Sequence, residues 1–114
     1  MPILTAWAND VAYDEVFAQQ LVNFIRAGDV VVAISASGNS PNILKALHVA
    51  RQAGAVVLGL AGFGGGKMKS LCDTCAVIPS DNMQVIEDLH HAIAHSLFTV
   101  LRHDIRHRSM AAKA

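Results

Sequence analysis

Apolar residues fall along this chain in two rhythms, and the alternation between them predicts the architecture. From Tyr13 to Ile25 they recur at Tyr13, Val16, Phe17, Leu21, Phe24 and Ile25, which is helical spacing. Asn9 and Asp10 stand just upstream as cap candidates, and Gly28-Asp29 ends the segment. "VVVAI", Val30 to Ile34, is a short unbroken apolar run rich in β-branched residues. It predicts a strand covered on both faces, as in a parallel sheet. Ser40-Pro41 opens the next helix, with Ser as N-cap and Pro at the first helical position, where its missing N–H costs nothing. Ile43, Leu44, Leu47 and Ala50 form one face of that helix, and Gly54 closes it. "AVVLGLAG", Ala55 to Gly62, predicts a second buried strand. A glycine-rich loop follows, then a short helix from about Lys67 to Leu71 and a third short strand, Cys75 to Pro79. The final helix is predicted from about Met83 to Arg102, with Ile86, Leu89, Ile93, Leu97 and Val100 as its stripe.

Strands alternating with helices predict an α/β fold with a doubly wound parallel sheet, in one domain spanning residues 1–114. Three strands are few for this architecture, and "PILTA" at the start shows no element of its own. The sheet is therefore expected to be incomplete in this chain, lacking one or two strands.

Composition narrows the function classes. A chain that is 53% hydrophobic and 16% charged can bury a core and is not a disordered tail. Nine basic and nine acidic residues cancel, so the charge balance speaks against nucleic acid or an anionic membrane as partner. The basic end, with Arg102, Arg106, Arg108 and Lys113, reads as a solvated helix end. No run approaches the ~18 apolar residues of a membrane span, and "MPILTAWAND" lacks a signal-peptide pattern. A cytoplasmic protein with reduced thiols at Cys72 and Cys75 is expected.

Chemistry concentrates at two places. "AISASGNS", residues 33–40, packs three serines, a glycine and an asparagine into the connection between the first strand and its helix. That is the crevice where open α/β sheets bind ligands, and a helix N-terminus there suits a phosphate. Gly38 would let the backbone approach closely, while Ser35, Ser37 and Ser40 would add hydroxyl donors without charge. The plainer alternative is that Ser40 only caps the helix and the others fill a turn. The second place is the last helix, where Glu87, His91 and His95 are spaced by four and lie roughly along one face, with His90 leaning elsewhere. A carboxylate with imidazoles suits zinc or a similar divalent ion; a polar stripe on a half-exposed helix accounts for the same spacing.

Other signals are weaker. "AGFGGGK" fails as a P-loop, because Ala61 stands where the first Gly belongs and Met68 where Ser or Thr would hold magnesium. The segment reads instead as a flexible strand-to-helix loop bordering the site, with an anion contact by Lys67 as the less favoured alternative. "CDTC", Cys72 to Cys75, closes a short helix and enters a strand, the reverse of a thioredoxin-type arrangement, and one CxxC is half a zinc site. Both cysteines read as small buried hydrophobes. Trp7 reads as a packing residue or a subunit contact.

"SASGNSPN" resembles the signature of sugar isomerase (SIS) domains, in which a Ser/Thr-rich loop binds a sugar phosphate. "LTAWANDVAYDEVFAQQL", "GDVVVAISASGNSPNILKAL", "GFGGGKM" with "LCD", and "IPSDN" with "IEDLHHAIAH" resemble, in order, segments of the phosphoheptose isomerase branch, over about residues 3–102. The resemblance implies a three-layer αβα, flavodoxin-like SIS fold and a phosphate-loop role for Ser35, Ala36, Ser37 and Ser40. It places Asn9 and Asp10 beside the sugar, where spacing alone reads them as a cap. It also implies zinc, held partly by a Gln and a His eight residues apart, which fall on Glu87 and His95; here the first is Glu. Eight residues climb about 12 Å along a helix, so the two side chains would have to lean together.

The implied reaction converts D-sedoheptulose 7-phosphate to D-glycero-D-manno-heptose 7-phosphate in a homotetramer, and a homo-oligomer of at least two copies is expected. His95 is one candidate proton-transfer group. The second, a Glu, and the remaining metal ligands come in the family from a helix upstream of everything present here. The chain is then a fragment, or partner subunits complete the site, or the activity is lost. A non-catalytic SIS module that binds a sugar phosphate or a protein partner as a regulator is the rival reading, since it needs only the serine loop.

Overall fold

The computed structural model of the protein describes residues 2–114. Its elements run α1 (Pro2–Asp10), a 3-10 turn (Tyr13–Glu15), α2 (Ala18–Val22), β1 (Val30–Ser35), α3 (Pro41–Gln52), β2 (Val56–Ala61), α4 (Met68–Leu71), β3 (Thr74–Val77) and α5 (Met83–Ala112). The three strands form one parallel sheet in the order β1-β2-β3, with Val30 opposite Val56 and Leu58 opposite Thr74 at the starts of the two pairings. The α/β prediction holds, and so does the thin sheet.

Because side chains alternate across a strand, the sheet has two faces, and they are unlike. On one face Ala33, Val57 and Ala61 meet Leu47 and Ala50 of α3 and Met68 of α4 in the main core. α2 packs outside α3. On the other face Val30, Val32 and Ile34 remain 59%, 49% and 53% exposed. The prediction that this strand is covered on both sides is therefore wrong among the described residues. Its apolar run is continuous, but β1 is the edge strand and only one of its faces has a helix against it. A groove lined by Leu4, Phe17, Leu21, Phe24 and the β1 side chains opens beside it.

α5 covers the second face only at its C-terminal end. Asn82 caps the helix, its side-chain oxygen accepting from the N–H groups of Gln84 and Val85, which satisfies two otherwise free donors. Ile86 is fully buried and sits where a side chain on Gly62 would be, so that glycine admits the helix to the sheet. His90, also buried, lies with Nε2 2.9 Å from the carbonyl of Ala61. Beyond it α5 runs out into solvent. The radius of gyration, 16.0 Å, exceeds the roughly 13 Å of a compact domain of this length for that reason.

Four element predictions need correction. "PILTA" begins α1, a helix with no buried residue and hence no stripe for periodicity to detect. The single helix expected from Tyr13 to Ile25 is a 3-10 turn followed by the short α2. Val16 and Ala18 both turn inward there, and Lys45 of α3 pairs with both Asp14 and Glu15, so contacts with α3 override the local register. The third strand ends at Val77 rather than Pro79; Pro79 has no N–H to continue the ladder. The last helix reaches Ala112 rather than Arg102, since no Gly or Pro interrupts it. No helix among the described residues is long and apolar enough to cross a membrane.

Candidate functional site

The loop after β1 and the loop after β2 meet backbone to backbone at the C-terminal end of the sheet, where α/β folds place their ligands. Gly38 has φ +65° and Gly66 φ +54°, a region that disfavours side chains. A Cβ on Gly38 would collide with the carbonyl of Gly65, and one on Gly66 with the backbone of Ser37 and Gly38. The contact is sealed by hydrogen bonds from Gly62 N–H to the Ala36 carbonyl (2.8 Å) and from Met68 N–H to the Gly38 carbonyl (2.9 Å). Lys67 N–H also donates to Asn39 Oδ1 at 3.0 Å. The second glycine loop is thus no flexible border: it fixes the shape of the first. The run of glycines was its sequence signal; their partner was not visible without the fold.

Within the first loop Gly38 N–H returns to the Ser35 carbonyl at 3.0 Å, a tight turn. Ser37 is exposed, and its Oγ accepts from Asn39 N–H at 3.1 Å. Ser40 stands at the N-cap of α3 with Pro41 behind it, as predicted, but its hydroxyl makes no capping bond. It lies 3.1 Å from the hydroxyl of Ser35 instead. The predicted capping role is corrected to that extent: the hydroxyl faces the loop, leaving the start of α3 uncapped by it. Ser35, Ala36, Ser37 and Ser40 are therefore brought together around Gly38, beside a twelve-residue helix whose N-terminus carries partial positive charge. Hydroxyls beside a helix start have the chemistry that suits a phosphate.

Asn9 and Asp10 are placed elsewhere. Both are exposed at the end of α1 and bonded to each other, Asn9 Nδ2 donating to Asp10 Oδ1 at 2.9 Å. Neither caps the following 3-10 turn, whose N-cap is Ala12, so the cap reading is corrected. α1 packs against that turn, and no hydrogen bond among the described residues ties the pair to the serine loop.

Glu87 and His95 are exposed on α5. Glu87, His90, His91, Ala94 and Ile34 line a shallow cleft of about 150 Å³ between α5 and β1; His95 lies one turn beyond it. Among the described residues no three His, Cys, Asp or Glu side chains converge on a point that would hold a metal ion. Glu87 and His95 have the donor chemistry for zinc but amount to two ligands, half a tetrahedral set, so these residues do not by themselves fit a resident ion. His90, set aside in the sequence, is the histidine the fold uses structurally. Its spacing of four from Ile86 was the available signal, because a buried Ile at i puts i+4 on the same face.

A family model described as "SIS domain" matches residues 3–62, more than half of the chain. The chain belongs to the SIS domain family. Within it, this SIS chain is 48% identical over 94 residues to a phosphoheptose isomerase of Rhodospirillum rubrum, covering 82% of the chain and 50% of that protein. It is 44% identical over 95 residues to that of Trichlorobacter lovleyi, covering 83% and 48%. In structure it resembles a phosphoheptose isomerase from Neisseria gonorrhoeae, with TM-score 0.81 and 36% identity over 83% of this chain and 54% of that one. A phosphoheptose isomerase from Francisella tularensis gives TM-score 0.81 at 31% identity, over 84% and 52%. The chain spans about half the length of the curated relatives it matches.

Proposed function

We propose that this SIS domain binds the phosphate of a phosphorylated sugar at the Ser35–Ser40 turn and serves an aldose–ketose isomerase. The substrate pair is D-sedoheptulose 7-phosphate and D-glycero-D-manno-heptose 7-phosphate. One observation carries the reading: the Ser35 and Ser40 hydroxyls meet beside the start of α3, which Ser40 does not cap, in a turn whose shape is set by the Gly65–Gly66 backbone. The likeness to phosphoheptose isomerases over most of the chain supports the choice of sugar.

Interconversion through an enediol moves one proton between carbons and another between oxygens, so it needs an acid and a base that exchange roles. His95 is proposed as one of them, and Asn9, Asp10 and Glu87 as groups bordering the sugar. The second proton-transfer group is proposed to come from another subunit or another segment of the polypeptide. Zinc or another divalent metal belongs to the reading as an ion held by Glu87 and His95 only with ligands from that same source. A cytoplasmic homo-oligomer, dimer or tetramer, completes it. A regulatory SIS module that binds without catalysis is the second reading, favoured by the absence of a three-ligand cluster among the described residues.

Phosphorus NMR titration of D-sedoheptulose 7-phosphate tests the site. Saturable broadening that weakens at least about tenfold in Ser37→Ala is the expected result; no saturable change in the parent protein overturns the reading. Metal analysis and turnover then separate the two versions. Bound zinc with turnover lost in His95→Ala supports the isomerase, and metal-free binding unchanged in that variant supports the regulator.

A further inference from the structure

The two cysteine sulfurs of this chain are brought together over one strand residue. Gly59 lies in the middle of the central strand, on the face covered by α3 and α4. A Cβ built on it would stand 2.6 Å from Cys72 Sγ and 2.9 Å from Cys75 Sγ. The terminal methyl of Met68 is 3.4 Å from the same point, which brings a thioether alongside. The missing side chain of Gly59 thus lets both thiols pack down against the sheet side by side. Both cysteines are free and only half-buried, so the thiol pair is reachable from solvent.

The turn that carries the thiols is held at both ends of Asp73. Asp73 N–H donates to the Val57 carbonyl at 2.9 Å, and Val57 N–H donates to Asp73 Oδ2 at 2.7 Å. Arg51 Nη1 donates to the Leu71 carbonyl at 3.0 Å just before it. Two soft donors on a fixed turn form a chelate whose ordering cost is already met in the folded protein. Thiolate and thioether ligands select soft d10 ions, which accept two-coordinate geometry, over hard oxygen-seeking ones.

We propose that Cys72 and Cys75 form a binding site for one thiophilic metal ion of the Cu(I), Ag(I) or Hg(II) class, with Met68 as a neutral neighbour. The site is separate from the sugar-phosphate turn and does not depend on it. α4 spans the distance to the serine loop, from Cys72 at its C-terminal cap to Met68, whose N–H holds the Gly38 carbonyl. Loading the site therefore acts on a segment that also shapes that loop.

Silver titration of the reduced protein, with 1 mM glutathione as monothiol competitor, provides the test. Native mass spectrometry is expected to find one Ag(I) per chain retained against the competitor. Cys72→Ser and Cys75→Ser are each expected to lose at least about 100-fold in affinity, the chelate gain of a second tethered donor. Gly59→Ala, whose Cβ would stand 2.6 and 2.9 Å from the two sulfurs and so push them from their positions, is expected to weaken binding while circular dichroism reports an intact fold. Retention by either single-serine variant equal to the parent, two ions per chain, or complete loss of silver to glutathione from the folded parent overturns the proposal.

Discussion

The two faces of the sheet are built from equally apolar strands, yet only one is closed. Ala33, Val57 and Ala61 point into the core made with α3 and α4, whereas Val30, Val32 and Ile34 of the same β1 strand are about half exposed. The difference lies in the elements available to pack. α3 runs along both β1 and β2, while α5 touches β2 near its end through Ile86 and His90 and then leaves the sheet. Hydrophobicity along a strand thus says how much apolar surface exists, not which part of it finds a partner. An apolar face of this extent is the kind of surface that carries an interface, in keeping with the proposed oligomer.

Removing a side chain from each face sharpens that contrast. Leu47→Ala, at a residue with no exposed surface, is expected to destabilise by about 2–5 kcal/mol in urea unfolding, through lost transfer energy and an unfilled cavity. A cost below about 1 kcal/mol would contradict the description of this face as the core. His90→Ala tests the polar anchor that, beside Ile86, holds α5 to the other face, and should cost about 1–3 kcal/mol. It removes the bond to the Ala61 carbonyl and a buried ring, though that carbonyl still accepts from Ile78 N–H. Val32→Thr should shift stability by no more than about 0.5 kcal/mol if the face is open in solution. A penalty of 2 kcal/mol or more would show instead that another copy or another chain covers β1, and a dependence on protein concentration would separate these.

The smallest effect concerns the outer layer of the covered face. Lys45 lies 2.8 Å from Asp14 and is also bonded to Glu15. The hydrogen bond from Lys45 holds the Glu15 carboxyl below its ordinary range, and the same contacts, Asp14 first, raise Lys45. Because the folded value of Glu15 is depressed, its contribution is present above the unfolded carboxylate range and is lost as pH falls through the folded value. Glu15→Gln should therefore lower stability slightly near neutrality, as expected of solvent-screened pairs, with the difference from the parent vanishing as pH falls below the folded value, so that the acid limb of the profile is flatter. An unaltered acid limb would assign that limb to other carboxylates.

Legibility followed whether the deciding interactions were local. The three strands, α3 and its Ser40-Pro41 start, and the turn around Gly38 could be read from runs, spacing and cap residues a few positions apart. α1 could not, since a helix that buries nothing has no stripe, nor could the break between the 3-10 turn and α2, which depends on Lys45 some thirty residues away. At the site, the serines were visible and the reason for their shape was not, because the Gly65 and Gly66 backbones that mould the turn arrive from the next strand. Glu87 and His95 were visible as donors; that they remain two ligands rather than a cluster is a fact of placement.

The amino-acid order alone determined which segments would be strands or helices at their centres, and that a hydroxyl-rich turn would follow an apolar strand. Those outcomes rest on side-chain volume, β-branching and backbone freedom acting over a few residues. Tertiary structure decided which face of β1 is covered, where α5 lets go of the sheet, what Ser40 bonds to, and that Cys72 and Cys75 pack side by side over Gly59. Each of those depends on residues far apart in the chain competing for the same space, and close packing resolves that competition only when the whole sheet is assembled.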